Sequence, residues 1–371
     1  MDLDELLGRV KRENDTPEMK NERAKLNELI TRAKRDECSD LHITVGTAIA
    51  RRRFGQLEIL PNKPEAQEAE SMILSALSDS QKAKVLKGED IDCAIYMDDG
   101  TRLRVNVYHQ RNNLAATFRL LRDSIPTFDQ IGLPEAVRKL VDAPRGLVLI
   151  TGPTGSGKTT TLASMIDYIN KQRARHVITI EDPIEYIYPH AKSMIHQREL
   201  HKDTKTFASA LHSALREDPD IIMVGEMRDY ETVNAVITAA ETGHLVISTM
   251  HTTSAAQTIE RIIDTYPLEG QNQLRSQLAA VLRGVQSQVL VPREDGAGMV
   301  MATEVMINNE AIANQIRDNK TVQIVSSIQA GKTMGMHTLN DDLKRLEREF
   351  VISHETALKY ASSTKEYEGM R

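Results

Sequence analysis

Cysteine is scarce in this sequence of 371 residues, which contains only Cys38 and Cys93. Two cysteines so far apart cannot build a disulfide framework, and no pair has the CxxC spacing of a structural zinc site. This usage is typical of a reducing, cytosolic environment. No apolar run approaches the ~18 residues that a membrane-spanning helix needs, and the first residues lack the basic and then apolar order of a secretory signal. We therefore expect neither a secreted nor a membrane-spanning protein.

Neither sign of charge is in large excess. The sequence has 47 Lys and Arg against 53 Asp and Glu, for a formal net charge of −6, which argues against a protein that coats nucleic acid. Hydrophobic residues make up 40% and charged residues 27%, as in globular proteins. At roughly 100–200 residues per domain, the length allows two or three domains.

The first part of the chain divides into three regions by pattern. Residues 1–37 are rich in charge and predict a helix whose narrow apolar stripe lies on the rest of the protein or binds a partner. The members of that stripe are Leu26, Leu29, Ile30 and Ala33. Residues 38–122 contain short alternating stretches around a helical segment, which predicts a small α+β domain. Residues 123–145 contain turn signals and are interpreted as a linker.

Residues 146–371 have a different pattern, in which short apolar strands alternate with helical segments. The predicted strands are 147–150, 177–180, 221–224 and 245–248. Strands that are apolar on both faces and separated by helices indicate a parallel sheet buried between helical layers. The expected fold class of this region is therefore α/β.

The first of these strands leads directly into a phosphate-binding loop with the pattern GxxxxGK[ST], followed by a helix. Its glycines let backbone N–H groups surround phosphate oxygens, and the helix adds its positive N-terminal end. We expect Lys158 to reach the β- and γ-phosphates of ATP and Thr159 to ligate Mg²⁺. The predicted nucleotide-binding residues of the loop are Gly152, Pro153, Thr154, Gly155, Ser156, Gly157, Lys158, Thr159 and Thr160.

Acidic side chains follow two other predicted strands, at the edge where open α/β sheets bind ligands. Glu226 suits the Mg²⁺ side of the site, and Glu181 is a candidate to orient the attacking water. The spacing also allows these two roles to be exchanged. Asp182 and Glu185 lie close by as further candidates, although acids at strand ends commonly cap the next helix.

Two histidines flank the fourth predicted strand. His251 follows it, where a side chain can sense the γ-phosphate or its water, and His244, which precedes it, is a candidate nucleotide contact. For both histidines a purely structural role is the alternative. We do not expect them to bind zinc, because no cysteine lies nearby and catalytic zinc takes three protein ligands.

Together these motifs resemble the secretion-motor ATPases and, within them, the PilT family of type IV pilus retraction ATPases. The resemblance runs from about residue 38 to residue 339. The matching segments are Gly-Pro-Thr-Gly-Ser-Gly-Lys-Thr-Thr-Thr at 152–161, Ile-Glu-Asp-Pro-Ile-Glu-Tyr at 180–186, Gly-Glu-Met-Arg-Asp at 225–229 and Thr-Gly-His-Leu-Val-Ile-Ser-Thr-Met-His at 242–251. One departure is the helix at 311–317, where Ala313 and Gln315 replace an Arg and a Leu of the retraction family.

The resemblance implies a RecA-like ATPase domain preceded by a PAS-like domain, in a homohexamer that uses ATP and Mg²⁺. It implies a cytoplasmic location at the inner face of the cytoplasmic membrane. The implied partners are an inner-membrane pilus platform protein and, indirectly, pilin, with membrane contact only through partners and no nucleic acid. The segments around Glu181, Glu226 and His251 correspond to the family's Asp box, Walker B and His box.

The resemblance also assigns phosphate contacts to three arginines of the N-terminal domain, Arg102, Arg104 and Arg119. An arginine that stabilises charge on the γ-phosphoryl group accelerates transfer by ~10³–10⁵-fold. The alternative is that these arginines lie on a solvated strand surface, where ion pairs contribute about 0–1 kcal/mol.

Other functions remain open at this stage. A pilus-assembly or type II secretion motor is one alternative, although such motors often carry a four-cysteine zinc module that two cysteines cannot supply. A weakly hydrolysing accessory subunit that regulates a partner motor is another, and the intact ATPase motifs argue against it. The acidic balance and the lack of a basic aromatic stripe disfavour a DNA-translocating motor.

Overall fold

A computed structural model describes residues 16–97, 99–121 and 124–370. These residues form two compact units that divide between Ser124 and Ile125. Within these ranges no helix is both long enough and apolar enough to cross a membrane.

The first unit consists of an antiparallel sheet and three helices. The strands lie in the order β3-β2-β1-β6-β5-β4, and every neighbouring pair is antiparallel. The elements are α1 (Pro17–Arg35), β1 (Cys38–Thr44), β2 (Ala50–Arg53), β3 (Gln56–Ile59), α2 (Ala66–Ser75), α3 (Asp79–Val85), β4 (Ile91–Tyr96), β5 (Arg102–Gln110) and β6 (Asn113–Leu120).

Helix α1 belongs to the core of this unit, as its apolar stripe predicts. Thr16 caps the helix by accepting a hydrogen bond from the backbone N–H of Met19. Leu26 and Ile30 are fully buried in the same apolar cluster as the strands and α2. The described part of the predicted N-terminal extension is therefore integral to the first unit, and residues 1–15 lie outside the described residues.

The second unit contains a seven-stranded sheet between helices. Its elements are α4 (Phe128–Ile131), α5 (Glu135–Val141), β7 (Gly146–Thr151), α6 (Lys158–Gln172), β8 (His176–Glu181), β9 (Met194–Glu199), α7 (Phe207–Ala214), β10 (Ile221–Val224), α8 (Tyr230–Glu241), β11 (Leu245–Met250), α9 (Ala255–Asp264), α10 (Leu268–Val281), β12 (Leu282–Pro292), β13 (Met299–Ile307), α11 (Glu310–Arg317), α12 (Ile324–Ala330), α13 (Leu339–Arg348), α14 (His354–Tyr360) and α15 (Thr364–Gly369).

The order of this sheet is β13-β12-β7-β11-β10-β8-β9, and all neighbours are parallel except β12 and β13. All four predicted strands are present, and the prediction of a mostly parallel sheet is confirmed. Because β7, β8, β10 and β11 are parallel, their carboxyl ends meet at one edge. Strand β12 is not predicted from the sequence, because its polar run Gln286–Gln288 lacks the apolar pattern of a buried strand. The structure nevertheless buries this run.

The prediction that residues 123–145 form a linker is wrong for the described part of this range. Helices α4 and α5 bury Phe128, Val137 and Val141 in the same apolar cluster as Val148 and Ile150 of β7. The turn-forming residues that suggested a linker instead separate two short helices. Burial of their apolar side chains joins this segment to the second unit.

Truncation of Phe128 tests this assignment. Its ring stacks on Tyr168 with the centroids 4.7 Å apart. We expect Phe128→Ala to lower the free energy of unfolding of the second unit by about 3–5 kcal/mol, the usual cost of emptying a buried aromatic site. Urea unfolding measures this change. Phe350→Ala is the matched control, because the Phe350 side chain is 84% exposed and its loss should cost less than about 0.5 kcal/mol. Equal effects of the two substitutions would contradict the assignment.

Candidate functional site

The phosphate loop begins where β7 ends, and its shape depends on glycine. Gly152 has φ +147°, and a Cβ atom there would lie 2.2 Å from the carbonyl oxygen of Gln288 and 2.6 Å from Oγ of Ser156. No side chain fits this position. At the other end of the loop, Gly157 adopts the left-handed conformation and precedes the first residue of α6, Lys158.

Strand β12 holds this loop from the side. The Gln288 side-chain amide donates a hydrogen bond to the carbonyl of Ser156 (2.7 Å), and its oxygen accepts one from the Thr161 hydroxyl (3.0 Å). Gln286 donates to the same oxygen of Gln288 (2.9 Å). Gln288 is fully enclosed, so these bonds are shielded from water and fix the loop against the start of α6. The sequence does not predict Gln288 as a residue of the site, because it does not predict strand β12.

The loop has the features of an anion cradle. Ser156 Oγ is buried without a hydrogen-bond partner among the described residues, and buried polar atoms normally have one. No side chain in the described part of the chain caps the first turn of α6. Its N–H groups and helix dipole therefore point toward the loop, which is the arrangement that binds phosphate. The residues present fit the phosphates of a nucleotide.

Lys158 lies over this loop with its ammonium group mostly buried. Its Nζ donates to the carbonyls of Gly152 (2.7 Å) and Pro153 (3.0 Å). Burial lowers the pKa of Lys158, and the negative charge of Glu226 acts in the opposite direction. Glu226 therefore faces the Lys158 side of the loop, as the sequence predicted for a carboxylate beside the phosphates.

The turn after β10 places Glu226 by contacts with both neighbouring strands. The N–H of Gly225 donates to the carbonyl of Ile180 (2.8 Å), and the Thr249 hydroxyl donates to the carbonyl of Gly225 (2.5 Å). The buried Glu226 carboxylate then lies 2.5 Å from Nη2 of Arg228 and 3.5 Å from Nε2 of His251.

His251 completes this cluster at the end of β11. Burial lowers the pKa of His251, the positive charges of Lys158 and Arg228 lower it further, and Glu226 opposes them. The imidazole is therefore favoured in its neutral form at neutral pH. A neutral imidazole can donate one hydrogen bond and accept another, which suits a group that contacts a phosphate or a water.

Glu181, the last residue of β8, lies on the strand adjacent to β10 and is buried. Its Oε1 accepts hydrogen bonds from the Thr179 hydroxyl (2.7 Å) and from the side-chain amide of Gln197 (3.1 Å). These two donors orient the carboxylate. Asp182 next to it is exposed, and Glu185 is half-buried.

His244 is not brought to this edge of the sheet. It precedes β11, so the whole strand separates it from His251, and strands rise about 3.3 Å per residue. Its Nδ1 lies 2.9 Å from the carbonyl of Ala239 and 3.2 Å from the Thr242 hydroxyl, contacts that hold the end of α8. Within the second unit its position is that of a structural residue, contrary to the nucleotide contact expected from the sequence.

The three predicted arginines lie on β5 and β6 of the first unit. Arg104 forms two bonds to Asp92 (2.7 and 3.1 Å), and Arg119 donates to the buried carboxylate of Asp40 (2.9 Å). The Arg102 guanidinium lies over the Tyr96 ring, 5.6 Å from its centroid. Their contact with phosphate stays a prediction.

Substitution of Gly152 tests the geometry of the loop. We expect Gly152→Ala to weaken ADP binding by about tenfold or more, since overpacking alone costs about 1–3 kcal/mol. Isothermal titration calorimetry measures the affinity. Gly243→Ala is the matched control, because Gly243 also has a positive φ, +112°, but has nothing within 4 Å of an added Cβ. Equal losses of affinity in both variants would show that backbone strain, and not the contact with Gln288, is responsible.

Comparison with known proteins shows the family of this chain. The model of the family described as Type II/IV secretion system protein matches residues 18–315. The type IV pilus retraction ATPase PilT of Pseudomonas aeruginosa is 43% identical over 333 residues, which cover 90% of this chain and 96% of that protein. A twitching motility protein of Neisseria gonorrhoeae is 44% identical over 306 residues, 82% of each chain.

A crystal structure of the pilus retraction motor PilT with bound ADP superimposes with a TM-score of 0.82 and 44% identity, covering 92% of this chain and 98% of that one. The identity extends across both units and is well above the level at which a shared fold alone would explain it. The second unit is therefore a RecA-like ATPase core, as the resemblance implied. The chain belongs to the Type II/IV secretion system protein family and, within it, to the PilT-type pilus retraction ATPases.

Proposed function

We propose that this chain is the ATPase subunit of a hexameric motor that couples hydrolysis of Mg-ATP to retraction of a type IV pilus. The observation that carries the proposal is the cluster of Lys158, Glu226 and His251 beside a phosphate loop, in a chain that shares 43% identity with a retraction ATPase over 90% of its length. We place the protein in the cytoplasm at the inner face of the membrane, where a pilus platform protein would be its partner.

The residues of the second unit divide the chemistry between them. The loop amides and Lys158 bind and neutralise the β- and γ-phosphates. Thr159 and Glu226 would hold Mg²⁺, which supplies charge neutralisation on the phosphate oxygens when bound. Among the described residues no group of three or more His, Cys, Asp or Glu could hold a metal ion by itself. This is consistent with Mg²⁺, which is usually held by one or two protein ligands with phosphates and waters.

Glu181 is proposed to orient the attacking water. Its carboxylate accepts hydrogen bonds from Thr179 and Gln197, which orient it at the end of β8. Glu226 faces Lys158 beside the phosphate loop, where a metal ion would bridge the protein and the phosphates. We therefore assign Glu226 to the metal side and Glu181 to the water.

The arginines of the first unit are proposed to act on the nucleotide. One of Arg102, Arg104 and Arg119 would stabilise charge on the transferred phosphoryl group. Arg104 and Arg119 lie directly opposite each other in the β5–β6 pair. Both already pair with carboxylates, so a phosphate would have to compete with Asp92 and Asp40.

Retraction is preferred over the other motor functions on two grounds. Both relatives compared above are named for retraction or twitching, and the match spans most of each protein. The two cysteines of this chain are too few to form the four-cysteine zinc module that assembly and secretion motors often carry. Gln315 of α11 and Ser327 of α12 form two hydrogen bonds (2.9 and 3.1 Å), which connect the two helices. Gln315 occupies the position where the retraction family has a leucine.

The two glutamates can be separated by kinetics. We expect Glu181→Gln to lower kcat by about 10²–10⁴-fold without changing ADP affinity, because a general base acts only during turnover. Glu226→Gln should also raise the Mg²⁺ concentration that is needed for half-maximal rate. Phosphate-release assays with varied Mg²⁺ distinguish them.

Glu355→Gln is the control for these glutamates, because Glu355 is exposed in α14, is not a candidate site residue and should leave kcat unchanged. Lys158→Ala serves as the reference for lost phosphate binding. A wild-type kcat in Glu181→Gln would transfer the role of base to Glu226.

The direction of the motor is tested in cells. Deletion of the gene should leave an excess of surface pili that do not retract, since the proposed motor removes subunits from the fibre. Electron microscopy and a twitching assay measure the two effects. Cells without pili after deletion would identify an assembly motor instead.

A further inference from the structure

A buried carboxylate of β13 contacts the segment that carries His251. Glu304 is 7% exposed, and its Oε1 accepts a hydrogen bond from the backbone N–H of Ala255 (2.7 Å). Ala255 is the first residue of α9 and is fully buried. A carboxylate at this position is favoured by the positive end of the helix dipole. Glu304 and the Ser254 cap therefore share the N-terminal donors of α9.

The turn between His251 and α9 is tied to the first turn of that helix. Ser254 Oγ accepts from the N–H of Gln257 (3.3 Å), and the Thr258 hydroxyl donates to the carbonyl of Ser254 (2.7 Å). The Thr252 hydroxyl lies 2.7 Å from that of Thr258 and donates to it, because the Thr258 proton is already used. A shift of the first turn of α9 would therefore shift the residues that follow His251.

Strand β13, which contains Glu304, lies three strands away from β11 in the sheet. In the register of the sheet, Glu304 lies opposite Ser287 of β12, Ser287 opposite Thr151 of β7, and Thr151 opposite Met250 of β11. Thr151 is the last residue before the phosphate loop, and Met250 is the last before His251. One row of the sheet thus links the loop, the histidine and the carboxylate.

We propose that Glu304 is a positioning residue of the ATPase, which anchors the N-terminus of α9 and so holds His251 beside Glu226. This inference rests on the proposed function, in which His251 belongs to the cluster beside the phosphate loop and contacts a phosphate or a water. It predicts that loss of the Glu304 carboxylate lowers turnover through His251 and not through general loss of structure. The burial that raises the pKa of Glu304 is opposed by its bond to Ala255, so the same bond that orients the helix also favours the charged carboxylate.

A double-mutant cycle with His251 tests the proposal in the full-length protein. We expect Glu304→Ala to lower kcat by about tenfold, equivalent to about 1.4 kcal/mol of transition-state stabilisation, with KM for ATP unchanged. In the His251→Ala background the same change should lower kcat by less than about twofold, since residues that act through one another are non-additive. Glu304→Gln should restore most of the rate, because its amide oxygen still accepts the Ala255 hydrogen bond.

Thr303→Val is the matched control on the adjacent residue of the same strand. The Thr303 hydroxyl contacts Nε2 of His337 (2.9 Å) and donates to Asp342 (3.1 Å), so this variant loses buried hydrogen bonds toward α13 rather than α9. We expect it to lower stability but not kcat. If Glu304→Ala does not fold, Ser254→Ala loosens the same helix start and should show the same dependence on His251.

The possible outcomes separate this inference from the proposed function. A normal kcat in Glu304→Ala, or an equal loss with and without His251, overturns the positioning role alone. A normal kcat in His251→Ala overturns the role of His251 and the inference with it. The Lys158 and Glu181 variants report independently on whether the chain hydrolyses ATP.

Discussion

The hydrogen bonds of Gln288 are the constraint on which the nucleotide site depends. A phosphate loop presents backbone amides to its ligand and therefore cannot use those amides to stabilise itself. Its shape has to be held through other groups, and here Gln288 bonds the Ser156 carbonyl on one side and the Thr161 hydroxyl on the other. Gly152 is required because the carbonyl of Gln288 occupies the space that a Cβ atom would need.

The charges of the site follow from the same edge of the sheet. Parallel strands end together, so the residues after β7, β10 and β11 bring Lys158, Glu226 and His251 into one cluster. Burial lowers the pKa of His251, and the two cations beside the buried Glu226 carboxylate, Lys158 and Arg228, lower it further. With two cations, one carboxylate and a neutral imidazole, the cluster has a net positive charge, which suits it to receive a group with several negative charges.

Local sequence patterns predict the four apolar strands, the loop around Lys158 and the position of the acidic residues at strand ends. Ambiguous patterns do not predict the other elements correctly. The polar run at 286–288 does not have the apolar pattern of a buried strand, so β12 is not predicted, and the turn-forming residues at 126–134 predict a linker in place of the helices α4 and α5. The nucleotide contact of His244 was expected from the family resemblance, whereas the structure places this residue at the opposite end of β11 from His251.

The sequence by itself determined the class of fold, the chemistry of the loop and the family, because hydrophobic period and motif spacing are properties of neighbouring residues. Only the tertiary structure decided which distant residues hold that chemistry in place. Gln288 and Glu304 come from strands far along the chain, and their partners in the loop and in α9 are set by strand order and register. Long-range pairing leaves no periodic signal in a single sequence, so these contacts appear only once the sheet is assembled.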